Sequence, residues 1–170
     1  MLDQKVIDLI QRQIQREWFS AYLYLDFMYY LEDKSLLGFK NWYDIQAQEE
    51  RDHARLFAQY LLNQNIRPVL ETIERPDQHY QDVLEILNKG LEHEKFVTAS
   101  IHEIVDAAHE AKDYRTLEFL NWFVKEQSEE ETNANELIAK YELFASTPQG
   151  LYALDQELGT RVYSPPSLVL

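Results

Sequence analysis

Apolar side chains return at alternating spacings of three and four residues through four long stretches, roughly 3–32, 36–64, 81–110 and 113–144, and through a short one at 148–159. That period gathers them on one face of an α-helix, and each long stretch would extend about 42 Å at 1.5 Å per residue. The connections Glu32-Asp33-Lys34-Ser35 and Glu110–Asp113 are short and polar, which predicts antiparallel neighbours. Asn65–Tyr80 lacks the period and carries Pro68 and Pro76. Extended, it would cover about 50 Å, enough to recross the bundle and set helices two and three parallel. Thr147-Pro148 offers a cap and a first-position proline for a short fifth helix. Past Gly159, Ser164-Pro165-Pro166 predicts extended surface chain. The expected fold is all-α: a four-helix bundle with one long crossover and a short fifth helix over 1–160, and an extended tail over 161–170.

Each apolar seam breaks near its middle. The first runs Ile7, Ile10, Ile14, Glu17, Ala21, Tyr24, Met28, Leu31, and the second Leu36, Phe39, Tyr43, Gln46, Glu50, His53, Phe57, Tyr60. The third runs Leu87, Gly90, Glu94, Val97, Ile101, Ile104, Ala108, and the fourth Leu120, Phe123, Gln127, Glu130, Ala134, Leu137, Tyr141, Phe144. Helices of similar length would bring Glu17, Glu50, His53, Glu94, Gln127 and Glu130 to one level. Carboxylates buried without partners cost several kcal/mol each, so four glutamates facing one another need protons or cations. Two divalent ions balance four carboxylates, and Glu50 has two oxygens with which to bridge them. Glu50-x-x-His53 places a carboxylate and an imidazole on one helix face, an arrangement that is common by chance but informative beside the other breaks.

The chain has no Cys, so it forms no disulfide and any metal must sit on O and N donors. Such a donor set suits iron, manganese or zinc better than copper. With 30 acidic against 16 basic residues and a formal charge of -14, the chain suits cations as partners rather than nucleic acid or an anionic membrane. Acidity that merely keeps the protein soluble is the plainer reading of charge alone. The N-terminus, MLDQKVIDLIQRQIQREW, is charged and periodic, unlike a signal peptide or a membrane span, which predicts a cytoplasmic chain.

Tyr24 lies one heptad past Glu17, and Trp122 beside Phe123; either could donate an electron in a redox reaction, though core packing accounts for both. Glu126 and Glu129 flank Glu130, and Glu49 adjoins Glu50, so these could add a third cation site; a solvated acidic face is the alternative, and is the reading for Glu131. His79, His93, His102 and His109 fall off the seam level and are expected at the surface.

In these features the chain resembles the ferritins, specifically the bacterial non-haem ferritins. The resemblance rests on the helix layout, the crossing, Glu17, Tyr24, Glu49-Glu50-x-x-His53, Glu94 and Glu126-Gln127-x-Glu129-Glu130, and covers nearly the whole chain. It implies one iron on Glu17, Glu50 and His53, a second on Glu50, Glu94 and Glu130 with Gln127 close by, and a third on Glu49, Glu126, Glu129 and Glu130. It further implies a 24-subunit shell that oxidises Fe(II) with oxygen or hydrogen peroxide and stores a ferric mineral. Bacterioferritins differ in a second Glu-x-x-His, which here reads Gln127-x-x-Glu130, and in a haem-binding Met where this chain has Arg51; haem is therefore not expected. Two rival readings stand beside this one: a di-iron enzyme that activates oxygen for an organic substrate, and a helical interaction module whose polar layer only fixes register.

Overall fold

A computed structural model describes residues 2–76 and 79–170. It contains α1 (Gln4–Asp33), α2 (Leu37–Asn63), α3 (Val83–Glu110), α4 (Tyr114–Phe144) and α5 (Pro148–Leu158), with no strand among the described residues. The helix starts fall a residue or two inside the expected ones because Asp3, Asp82 and Asp113 are N-caps: their carboxylates accept from Lys5 N, Glu85 N and Thr116 N. Thr147 caps α5 in the same way, accepting from Gly150 N, with Pro148 opening the helix.

Three tight exits use left-handed backbone at non-glycine residues: Ser35 (φ 59°), Asn65 (φ 59°) and Lys112 (φ 54°) each sit just past a helix end. This conformation lets the next residue's N–H return to a carbonyl of the last turn, as in Leu36 N to Leu31 O (3.0 Å) and Asp113 N to Ala108 O (2.8 Å).

Cross-links between helices fix the topology. Along α1 and α3, Lys5 pairs with Glu110, Arg16 lies 3.9 Å from Glu103, and Tyr24 donates to Glu94, so the two helices are antiparallel. Since the Ser35 turn also sets α2 antiparallel to α1, α2 and α3 run the same way. The crossover travels along α1, with Gln11 bonded to both Val69 backbone groups and the Gln15 amide donating to Thr72 O at 3.1 Å. Tyr80, at its far end, donates to Asp26. Asp77 and Gln78, which belong to the expected crossing, lie outside the described residues.

The core is in two parts. One is built around Ile10, Ile14, Phe57, Ile101, Phe119 and Phe123, with Phe57 stacked on Phe123 at 4.1 Å; the other around Tyr24, Phe27, Phe39, Tyr43, Leu87 and Leu137. A seam reading placed Phe144 among them, but it is 55% exposed, because it ends α4 beyond the last turn that faces the other helices. The tail 161–170 has no helix, as expected, yet it is not free surface chain: Trp122 Nε1 donates to Ser167 Oγ at 3.0 Å and Leu168 packs on the first core cluster.

At the start of α2, Leu36 supplies no side-chain cap. The buried Asp155 of α5 does so instead, accepting from Gly38 N (2.8 Å) and Phe39 N (3.1 Å). A β-carbon on Gly38 would lie 1.6 Å from Asp155 O, so only glycine admits this approach. Asp155→Ala is therefore expected to lower stability by about 1–2 kcal/mol, read as a shift in the urea midpoint, and Gly38→Ala by more. Ser35→Gly, which relieves left-handed strain without removing a packed side chain, is expected to raise the midpoint.

Candidate metal centre

Between the two core clusters lies a polar layer. Glu17 comes from α1, Glu50 and His53 from α2, Glu94 from α3, and Gln127 and Glu130 from α4; none is more than 5% exposed. The helical rise sets the level: each residue sits near the middle of its helix, where the seam faces the bundle axis.

Glutamines and Tyr24 hold part of the layer in place. The Gln13 amide donates to Glu17 Oε1 at 2.7 Å, and the Gln46 amide to Glu130 Oε2 at 2.8 Å. The Gln127 amide donates to Glu94 Oε2 (3.1 Å), to the Glu94 carbonyl (3.2 Å) and to Thr98 Oγ1 (3.3 Å). Tyr24 OH donates to Glu94 Oε1 in a short bond. His53 Nδ1 is 3.8 Å from Glu50 Oε2 and its Nε2 3.9 Å from Glu126 Oε1, with Trp122 edge-on to the ring at 5.6 Å.

Several other buried atoms here are left without hydrogen-bond partners. Glu17 Oε2, Glu50 Oε1 and His53 Nδ1 are buried and unpaired, although almost every buried polar atom in a folded protein finds a partner. Glu17, Glu50 and His53 each offer a ligand atom within 4.8 Å of the others. Three converging, unpaired O and N donors fit a first-row divalent cation. Burial, followed by repulsion from neighbouring carboxylates, pushes Glu17 and Glu50 well above the usual carboxylate range. The same causes, with Glu130 the main neighbour, raise Glu94 to about 8. Burial also drives the Tyr24 phenol upward, with Glu94 adding to it, so Tyr24 stays a hydrogen-bond donor. Without metal the layer therefore holds protons near neutral pH, and a cation would replace them.

The outer acidic residues are less closely gathered. Glu49 is mostly buried, raised to about 7 by burial against the opposing pull of Arg161, whose Nη2 donates to Glu49 Oε2 at 2.8 Å. Glu126 is partly buried and raised by burial, while Glu129 is exposed. Glu131 is partly buried, accepting from Thr98 Oγ1, rather than wholly solvated.

Several residues of the site escaped the sequence reading. Gln13 stands four residues before Glu17, a spacing that could have marked it as a same-face partner, whereas Gln46, though in the second seam, meets Glu130 on another helix, a pairing that local spacing does not reveal. Arg161 offers no such signal, since it arrives from the far end of the chain. His93, expected at the surface, is instead largely buried: it meets Ser20 Oγ at 2.7 Å and lies edge-on to Tyr24, and burial lowers it to about 4.

A cavity of about 20 Å³, room for one water-sized molecule, borders Glu94 and Glu130 and is walled by Tyr43, Leu87, Gly90 and Leu137.

Comparison with known proteins gives one consistent result. The model of the ferritin-like domain family matches residues 7–144. A bacterial non-heme ferritin of Campylobacter jejuni is 35% identical over 92% of this chain and 93% of its own, and one of Staphylococcus saprophyticus is 31% identical over 96% and 98%. Among solved structures, a humanized archaeal ferritin superposes with a TM-score of 0.95 at 37% identity, covering 97% of this chain and all of the other. An open-pore ferritin from the archaeon Archaeoglobus fulgidus gives 0.93 at 36% identity, covering 95% of this chain and all of its own. Matched by the family model over most of its length and by ferritins over nearly all of it, this chain belongs to the ferritin family.

Proposed function

We propose that this protein stores iron, and that each chain oxidises Fe(II) at a pair of sites in its polar layer before the ferric product is laid down inside a shell of identical subunits. The observation that carries this reading is the set of unpaired buried donors on Glu17, Glu50 and His53, beside the further carboxylates of Glu94 and Glu130. Glu17, Glu50 and His53 would hold one substrate iron, and Glu50, Glu94 and Glu130 the other, with Gln127 steadying Glu94. Membership of the ferritin family and the non-heme ferritin relatives support both storage and ferroxidase activity.

The chain's own groups supply orientation and charge. Gln13 and Gln46 each occupy one oxygen of a glutamate, leaving the other free to face the metal. The carboxylates neutralise incoming Fe(II) and stabilise Fe(III) further, which favours loss of an electron. Tyr24, hydrogen-bonded to Glu94, is placed to supply an electron and pass its proton to that carboxylate. The oxidant is oxygen or hydrogen peroxide, and the cavity by Glu94 and Glu130 is small. That size disfavours an organic substrate at this position, and unpaired donors would serve a register-setting layer poorly.

Assembly into a homo-oligomer, by resemblance a 24-subunit shell, agrees with the large apolar side chains left exposed, among them Tyr29, Leu70, Tyr114, Leu143 and Tyr152. No helix among the described residues is long and apolar enough to cross a membrane, and the proposed setting is the cytoplasm.

Aerobic titration of metal-free protein with Fe(II), followed by absorbance, tests the reading. A fast oxidation phase saturating at about two ions per chain is expected, and Glu50→Ala should abolish it, since that carboxylate serves both sites. A parent without a fast phase would overturn the proposal. Tyr24→Phe should slow the fast phase while leaving its stoichiometry intact.

Protonation gives a second test. Glu94 titrates at about 8 in the metal-free fold against roughly 4.3 when unfolded. Between those values the folded chain holds a proton that the unfolded chain releases. The associated stability is complete below the unfolded value and disappears as pH rises through 8. The melting temperature of the metal-free protein is therefore expected to fall from pH 5 to pH 8.5, and Glu94→Gln to flatten that slope. Zn(II) binding at pH 7 should release protons, measured calorimetrically as a dependence on buffer ionisation heat.

A further inference from the structure

The C-terminal tail lies along the α2–α4 side of the bundle, beside the outer acidic residues. Its first long side chain, Arg161, is held on every side. Nη2 donates to Glu49 Oε2 at 2.8 Å, Nη1 to the Trp42 carbonyl at 3.4 Å, and the guanidinium carbon stands 4.2 Å over the Trp42 ring. The backbone is fixed too, because the Asn41 amide donates to both the Leu158 and Arg161 carbonyls, at 3.2 and 3.0 Å. The Arg161 and Glu49 side chains are respectively 20% and 17% exposed. Further along, Tyr163 donates to Asp52 and Ser167 accepts from Trp122, so the strand of tail is tied down on both helices.

We propose that Arg161 is a built-in cation that occupies the place of a third metal ion, and thereby sets the high-affinity capacity of each chain at two. This rests on the metal-binding reading of the polar layer. Glu49 adjoins Glu50 and feels Glu130 and Glu126 as neighbouring negative charges; Glu49, Glu126 and Glu130, with Glu129, are the set to which the resemblance to the non-haem ferritins gives a third ion. The guanidinium's stacked, hydrogen-bonded setting leaves it little freedom to lose. A third divalent ion must therefore break the Arg161–Glu49 pair and then sit beside a positive charge that the Asn41 bonds and Trp42 keep close. The inner ions meet no such competitor, since Glu17, Glu50 and His53 present unpaired atoms. Arg161 acts as a specificity-determining residue, restricting the outer carboxylates without touching the inner pair.

Calorimetric titration of the metal-free oligomer with Zn(II), which binds without redox chemistry, tests this directly. The parent is expected to take two ions tightly and a third at least tenfold more weakly. Arg161→Gln should take three tightly, and combining it with Glu49→Gln should return the count to two. Should Arg161→Gln fail to assemble, Arg161→Met, which keeps an apolar stem over Trp42 without the charge, tests the same point and is expected to take three. Three equally tight ions in the parent, or a variant lacking Arg161 that titrates like the parent with its tight pair intact, would overturn the proposal. Absence of any tight ion in the parent would instead overturn the metal-binding reading on which it rests.

Discussion

Four glutamates in the dry middle of a helical bundle are the constraint from which the rest of the structure follows. Glu17, Glu50, Glu94 and Glu130 occupy places that aliphatic side chains would fill more stably, and they divide the core into two apolar clusters. Such a layer must be neutralised, and in the metal-free fold protons held by Glu17, Glu50 and Glu94 do this. The aromatic contacts on either side, Phe57 stacked on Phe123 and Phe27 edge-on to Tyr43, hold the helices at a spacing that the carboxylates alone would push apart. The apolar clusters thus supply the stability and the layer between them supplies the chemistry.

Because the layer draws on four different helices, its geometry depends on how those helices are joined. Both antiparallel pairs are connected by tight turns that use left-handed backbone, at Ser35 and Lys112, and these fix the relative height of Glu17 against Glu50 and of Glu94 against Glu130. The two pairs are linked by a crossing that is bonded along α1 through Gln11 and Gln15. Its length serves a purpose: only a segment that spans the whole bundle can return α3 to the same end as α2. The parallel pair that results brings Glu50 and Glu94 towards each other across the axis.

The inner site was legible in the sequence because helical periodicity makes an out-of-place polar residue visible. Glu17 stands out between Ile14 and Ala21, Glu94 between Gly90 and Val97, and His53 between Glu50 and Phe57. A local signal also marked Thr147 as a cap, whereas the expected bounds took in Asp3, Asp82 and Asp113, which cap their helices from just outside. What could not be read were contacts between residues far apart in the chain. Nothing around Arg161 points to Glu49, and the buried surroundings of His93 depend on Ser20 and Tyr24 arriving from another helix. Phe144 misled for a related reason, since an apolar residue in register at the last turn has no opposite helix to meet.

Asp155 completes the first turn of α2 from 117 residues further along the chain. A ribosome releases the N-terminal helices first, and segments tend to fold as they emerge. The opening turn of α2 must therefore wait, its Gly38 and Phe39 amides satisfied only by water, until α5 has been made. Closure of α5 onto that turn serves as a completion check: a chain truncated before α5 keeps a frayed helix end beside the bundle, a local defect by which an unfinished subunit differs from a finished one.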